Sequence, residues 1–228
     1  FNGALSLDNT VSLGAASRVK MDASGTTYIN GDFYHGAGIR LTGGTVAIGG
    51  SGISSAESTT VMTLLGGELQ LNRAGALDMA KIVLEGTEVS LGADDALLSG
   101  TDVYFDAGTL LAQGYDQDFG WLTVAADDTF FDMGDSDSVW TFEDSSSLAW
   151  GAGILAIDNA ENAVIRFAGT GLTDTQISQI TRDGAALTSG DTTVDGGYLY
   201  ITPIPEPTTI GLLAFSAAGL LIFRKRMY

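Results

Sequence analysis

Ile82-Val83-Leu84-Glu85-Gly86-Thr87-Glu88-Val89-Ser90-Leu91 decides the reading of this chain, because its ten-residue template recurs three more times without a gap. Ile39-Arg40-Leu41-Thr42-Gly43-Gly44-Thr45-Val46-Ala47-Ile48 and Met62-Thr63-Leu64-Leu65-Gly66-Gly67-Glu68-Leu69-Gln70-Leu71 precede it. Val103-Tyr104-Phe105-Asp106-Ala107-Gly108-Thr109-Leu110-Leu111-Ala112 follows. The copies begin 23, 20 and 21 residues apart. Each reads as two short apolar-polar alternations joined by a glycine corner. Alternation with a period of two is the signature of a strand with one buried face, and glycine reaches positive φ at the corner without a Cβ clash. A period near 21 is too short for a strand-helix-strand unit. It fits one coil of a parallel β-helix, in which coils stack about 4.8 Å apart. An antiparallel sandwich is the competing fold, but its strands rarely hold a ten-residue template at near-constant spacing. The expectation is therefore an all-β chain: a right-handed, single-stranded parallel β-helix over residues 1–164, about 21 residues per coil.

Looser copies flank the four, at Leu5–Leu7, Val11–Leu13, Val19–Met21, Val139–Phe142, Ser147–Trp150, Ile154–Ile157 and Val164–Phe167. The acidic and aromatic stretch from Gln113 to Asp137 breaks the period and reads as an irregular coil with a loop excursion. Thr173-Asp174-Thr175-Gln176 is a capping box, which predicts one short helix over 174–181 inside a closing module, 165–202. That helix is expected to cover the open end of the stack, where unpaired strand edges would otherwise be exposed.

The 228 residues carry 10 Lys+Arg against 28 Asp+Glu, a net charge of −18, with no Cys and a single His, His35. Disulfide scaffolds, thiol catalysis and Cys/His zinc sites are excluded. So acidic a surface repels nucleic acid. Phe1 to Leu13 already reads as strand, so the array is expected to be truncated at its N-terminus.

The C-terminus has a different character. Pro205-Glu206-Pro207 leads into an uncharged apolar run, Ile210–Phe223, and then Arg224-Lys225-Arg226. Fourteen helical residues rise about 21 Å, just enough with their flanks for a thinned bilayer. The basic cluster should stay cytoplasmic and leave the body outside. This tail, residues 203–228, resembles the PEP-CTERM sorting signal: a Pro-Glu-Pro motif, a short transmembrane helix at 210–223 and a basic end. The resemblance implies that Pro205, Glu206 and Pro207 form the sorting and processing motif and that Arg224, Lys225 and Arg226 set the membrane topology. It implies an exosortase-type membrane protease as partner, and export by a Gram-negative bacterium of the kind that makes exopolysaccharide. The closing segments, from Ile165-Arg166-Phe167 through Gly171-Leu172-Thr173 to Tyr198-Leu199-Tyr200-Ile201, resemble those of autotransporter-associated β-strand repeat proteins.

Candidate chemistry in the body is sparse. Asp127, Asp128, Asp132, Asp135 and Asp137 lie close enough in sequence to offer oxygens to Ca²⁺, yet no EF-hand or β-roll calcium motif is present. No other cofactor is implied. Carboxylate pairs (Asp94/Asp95, Asp102/Asp106, Glu143/Asp144) are mostly adjacent, so on a strand they point apart and cannot flank one glycosidic bond. No catalytic residues are assigned and no enzyme is expected. Among the aromatics, Trp140, Phe142 and Trp150 fall on core positions, Tyr104 on the outward phase, and His35 reads as a loop residue. The sequence thus points to an exported structural or adhesin-like protein, held transiently at the inner membrane and then placed at the cell surface or in the extracellular matrix. Exopolysaccharide or sister molecules are its expected contacts. A polysaccharide-modifying β-helix enzyme and a carbohydrate-binding module stand as alternatives.

Overall fold

The computed structural model describes residues 5–7, 11–12, 19–30, 33–35, 39–49, 53–55, 61–125, 127–134 and 137–201. Lys81–Leu91 shows how the template becomes a turn. Its first half pairs in parallel with Val61–Leu64 and its second half with Glu68–Leu71. The whole strand then lies along Asp102–Leu111, with Ile82 beside Val103, Leu84 beside Phe105 and Val89 beside Leu110. The register shifts on either side of Glu85, and this bulge bends the strand into two arms, as an unpaired extra residue does. Ile82, Leu84, Val89 and Leu91 are fully buried; each such side chain contributes about 1.5–3 kcal/mol of burial.

The bend explains the glycines. Gly67 and Gly108 sit at φ +83° and +124°, where a Cβ would also run into the carbonyl oxygens of Gly44 and Thr87 in the preceding turn. Backbone therefore rests on backbone at this corner, an approach that only glycine permits.

Repetition builds one large sheet. Leu5–Leu7, Val19–Ile29, Ile39–Ile48, Val61–Leu64, Lys81–Leu91, Asp102–Leu111, Thr129–Asp132, Leu155–Asp158 and Ile180–Arg182 follow one another in chain order, each parallel to the next. This is a β-solenoid; the antiparallel sandwich is thereby excluded. The third side of each turn is a shorter sheet. Val11–Ser12, Phe33–His35, Ile53–Ser55 and Leu77–Asp78 form it at the N-terminal end. Gln117–Asp118, Val139–Phe142 and Val164–Ala168 form it at the other. His35 thus ends a paired strand rather than lying in a loop.

Between those two short sheets the ladder lapses, and a side chain fills the break. The Gln117 amide accepts from the Leu97 N–H (2.9 Å) and donates to the Leu97 carbonyl (2.9 Å), imitating a strand. Gln117 is buried. Gln117→Leu keeps the volume but orphans both backbone groups, each costing about 1–3 kcal/mol. Urea unfolding is expected to show a loss of about 2–3 kcal/mol; an unchanged midpoint would contradict the bridging role.

Three expectations need correction. Gln113–Asp137 is no loop excursion: Leu122–Val124 pairs with Asp102–Leu111, as does Thr129–Asp132, and Phe119 and Phe131 are buried. Several of its acids, Asp116, Asp127 and Asp128 among them, sit in corners, where they obscure the alternation. Ser147–Trp150 forms no strand. The helix is Asp174–Ile177, capped reciprocally by Thr173 and Gln176, and ends early because Ile180 returns to the main sheet. It occupies a corner of the last turn, with Gln176 donating to the Ser145 and Leu148 carbonyls. The stack ends instead in antiparallel pairings. Ala185–Ala186 folds back on Ile180–Arg182, and Tyr198–Tyr200 runs against Val164–Ala168 with Thr193–Asp195 outside it.

The interior of the C-terminal half is a column of rings. Phe119 stacks on Phe142 at 4.6 Å, and Phe142 on Phe167 at 5.0 Å. Phe131 meets Trp140 edge-on at 5.1 Å and Phe105 at 5.5 Å.

Candidate functional site

The acids singled out in the sequence are mostly spent on the fold. Asp94 Oδ1 accepts from the Asp116 N–H, and Asp116 Oδ1 from the Val139 N–H, so two carboxylates link three successive turns. Asp102 Oδ1 accepts from the Trp121 N–H and Asp128 Oδ1 from the Ile154 N–H. Asp132 Oδ1 takes the Gly134 N–H and the Asn159 amide. In each case an ionised acceptor satisfies corner donors that have no ladder partner, the stronger kind of hydrogen bond.

Of the residues proposed for calcium, Asp135 lies outside the described residues. Among the described ones, no three His, Cys, Asp or Glu side chains come together as a metal-binding group. Asp127 and Asp137 are exposed.

Asp144 carries the clearest electrostatic signature. Its carboxylate accepts from the Ser146 N–H (3.0 Å) and from the Thr170 N–H and hydroxyl (3.3 and 3.1 Å) one turn on. Hydrogen bonding by Ser146 first, and then by Thr170, holds its pKa below the ordinary value, against a smaller opposing cost of burial. A lowered folded-state pKa stabilises the fold above the unfolded value of about 3.9 and loses that contribution as the pH falls through the folded value. The melting-temperature advantage of native protein over Asp144→Asn should therefore be constant above about pH 5 and vanish progressively in more acidic buffer. An advantage that grows on acidification would contradict the assignment.

The aromatics divide. Trp140 and Phe142 are in the core. Trp150, expected there, is only partly buried, packing one side on the core while its indole N–H donates to the Leu122 carbonyl at 3.1 Å. Tyr104 lies outward as expected, its ring covered by Lys81 at 4.5 Å. Tyr104 and Trp150 line an open groove of about 370 Å³. It exists because, among the described residues, no strand stacks on Leu122–Val124 from the following turn. Ala149–Gly151 crosses there instead, and Gly151 lies so close to the Ala125 carbonyl that a Cβ would collide. The groove was illegible in sequence because Trp150 occupies a core-like phase.

Pro205, Glu206, Pro207, the apolar run 210–223 and Arg224, Lys225 and Arg226 lie outside the described residues. No helix among the described residues is long and apolar enough to cross a membrane. The body's last described residue, Ile201, is fully buried and donates its N–H to the Ile165 carbonyl, so the ordered pairing runs to within four residues of Pro205.

No curated protein and no solved structure matches the chain. One family model does: residues 203–226 match the PEP-CTERM protein-sorting motif. That motif is the recognition signal of exosortase, a membrane protease, and indicates export with membrane-associated processing through the C-terminus.

Proposed function

We propose that this chain is an exported structural or adhesin-like protein of a Gram-negative cell surface or extracellular matrix. The observation that carries the reading is the sorting motif at 203–226, which follows a solenoid whose described residues run to Ile201. In this reading residues 210–223 hold the chain in the inner membrane, with Arg224, Lys225 and Arg226 on the cytoplasmic side. Exosortase recognises Pro205-Glu206-Pro207, the tail is removed, and the solenoid is delivered outside. The winding is right-handed, as parallel crossovers are, and the body belongs with the autotransporter-associated β-strand repeats. The parallel stack, the capped turn of helix and the terminal antiparallel strands support that kinship.

A stack of this kind is stiff because most of its described strands are paired on both sides and corner carboxylates tie successive turns together. Its acidic exterior keeps it dispersed and rejects anionic polymers. Exopolysaccharide and sister molecules are its proposed contacts, with Ca²⁺ bridging between exposed carboxylates such as Asp127 and Asp137.

Peptide mapping by mass spectrometry tests the delivery step. The extracellular fraction of the native host should hold peptides from 61–201 and none from 208–228. Body and tail peptides confined together to the inner membrane would contradict it.

A further inference from the structure

The outer face of the second short sheet gathers side chains that the corners do not use. Gln117–Asp118, Val139–Phe142 and Val164–Ala168 lie in register, so Asp118, Thr141 and Arg166 form one outward row. The Glu143 N–H donates to the Gly120 carbonyl, which sets Glu143 beside that row, two positions further along the face. Ser99 and Tyr198 complete the rim of a pocket of about 220 Å³. The backbone that carries Phe119 and Phe142, whose buried rings stack in the core, lies beneath it.

Arg166 is the centre of this pocket. Its Nε donates to the Thr141 hydroxyl at 3.2 Å, and its guanidinium lies over the Tyr198 ring at 4.5 Å. Ring and hydroxyl fix the plane of the fork before any ligand arrives, which lowers the ordering cost of binding. In a chain of net charge −18, with Asp118 and Glu143 on the same rim, an ion pair would be the ordinary use of this cation. Among the described residues neither carboxylate forms one with it.

Obligate donors and obligate acceptors thus share one pocket without satisfying each other. An anion placed there meets two carboxylates. A cation meets the guanidinium. An apolar group leaves both unmet. A hydroxyl donates and accepts at once, and adjacent hydroxyls on a rigid ring span an Arg N–H and a carboxylate oxygen together. We infer that the pocket formed by Asp118, Thr141, Glu143, Arg166 and Tyr198 binds a neutral sugar ring through its vicinal hydroxyls. Arg166 donates to the ring oxygens, Asp118 and Glu143 accept from its hydroxyls, and no bond is made or broken. The inference rests on the matrix reading above for the source of the glycan; the chemistry of the pocket stands apart from it.

Calorimetric titration of the full-length chain in mild detergent tests the site. The probes are neutral gluco-, manno- and galacto-hexasaccharides, with oligogalacturonate as the anionic control and a chitosan oligomer as the cationic one. At least one neutral series should bind, and neither charged control should bind more tightly. Glu143→Gln and Arg166→Gln should each weaken that binding at least tenfold with the melting temperature unchanged. Arg166→Lys, which keeps the charge and loses the fork, should not restore it. Preference for either charged oligomer, no binding of any neutral series at millimolar concentration, or native-like binding by Glu143→Gln, which alters an exposed side chain and leaves the core intact, overturns the site. Tail processing is read independently, so its failure leaves a positive titration standing, and a negative titration leaves the sorting reading untouched.

Discussion

Phe142→Ala is expected to lower the unfolding free energy by about 3–5 kcal/mol, the range for removing a buried aromatic ring. Phe142 is essentially inaccessible and touches three rings, Phe119 at 4.6 Å, Phe167 at 5.0 Å and Phe131 at 5.9 Å. Phe142 lies in a strand held by parallel ladders on both sides, and Phe131 and Phe167 lie in strands that are themselves paired on both sides, so they cannot close the space the ring leaves. The cavity persists, and the lost dispersion contacts are not recovered. A solenoid turn touches only its neighbours, so damage should spread along the stack. Hydrogen exchange should quicken in Gln117–Asp118 and Val164–Ala168 and much less around Val61–Leu64. A loss below about 1 kcal/mol would show that the rings are not packed as described.

Replacing Pro205, Glu206 and Pro207 with alanine should reduce the processed form at least tenfold and leave full-length chain at the membrane. The residues match the sorting motif, and their chemistry suits a protease substrate. Two prolines fix φ and remove two N–H donors, which disfavours ladder pairing in the motif. Glu206 places a single charge between them. The body should fold unchanged, because Ile201 and everything before it keep their partners. Immunoblotting of membrane and extracellular fractions reads the result. Processing at the native rate would remove the motif from the account.

How much of this was legible in the sequence depends on where alternation survives. The four template copies keep their apolar phase, and they stack as their spacing predicts, Ile82 beside Val103 and Val89 beside Leu110. The sorting tail was legible because its three parts are contiguous. Gln113–Asp137 was misread because corner acids such as Asp116 and Asp128 break the pattern, although each serves the stack by accepting from a backbone N–H one turn away. The bridging role of Gln117 leaves no pattern, since a buried amide reads as a polar interruption. The Arg166 pocket was hidden for a geometric reason. Its rows step from Gln117 to Trp140 and from Trp140 to Ile165, intervals of 23 and 25 residues, so a constant period of 21 sets Asp118, Thr141 and Arg166 out of register.

One main-sheet layer per winding, stacked in chain order, is the claim that everything else assumes. Tyr28, Gln70 and Asp158 occupy one outward row of the main sheet, with Ala47, Ser90, Leu111 and Asp132 between them. The native chain has no cysteine, so spin labels can be attached at introduced pairs alone. At about 4.8 Å per turn, electron–electron resonance should place Gln70→Cys and Asp158→Cys roughly 19 Å apart, and Tyr28→Cys and Asp158→Cys roughly 29 Å apart, within the reach of the label arms. Backbone separations that fail to grow with the number of intervening turns, or a first pair more distant than the second, would contradict the solenoid.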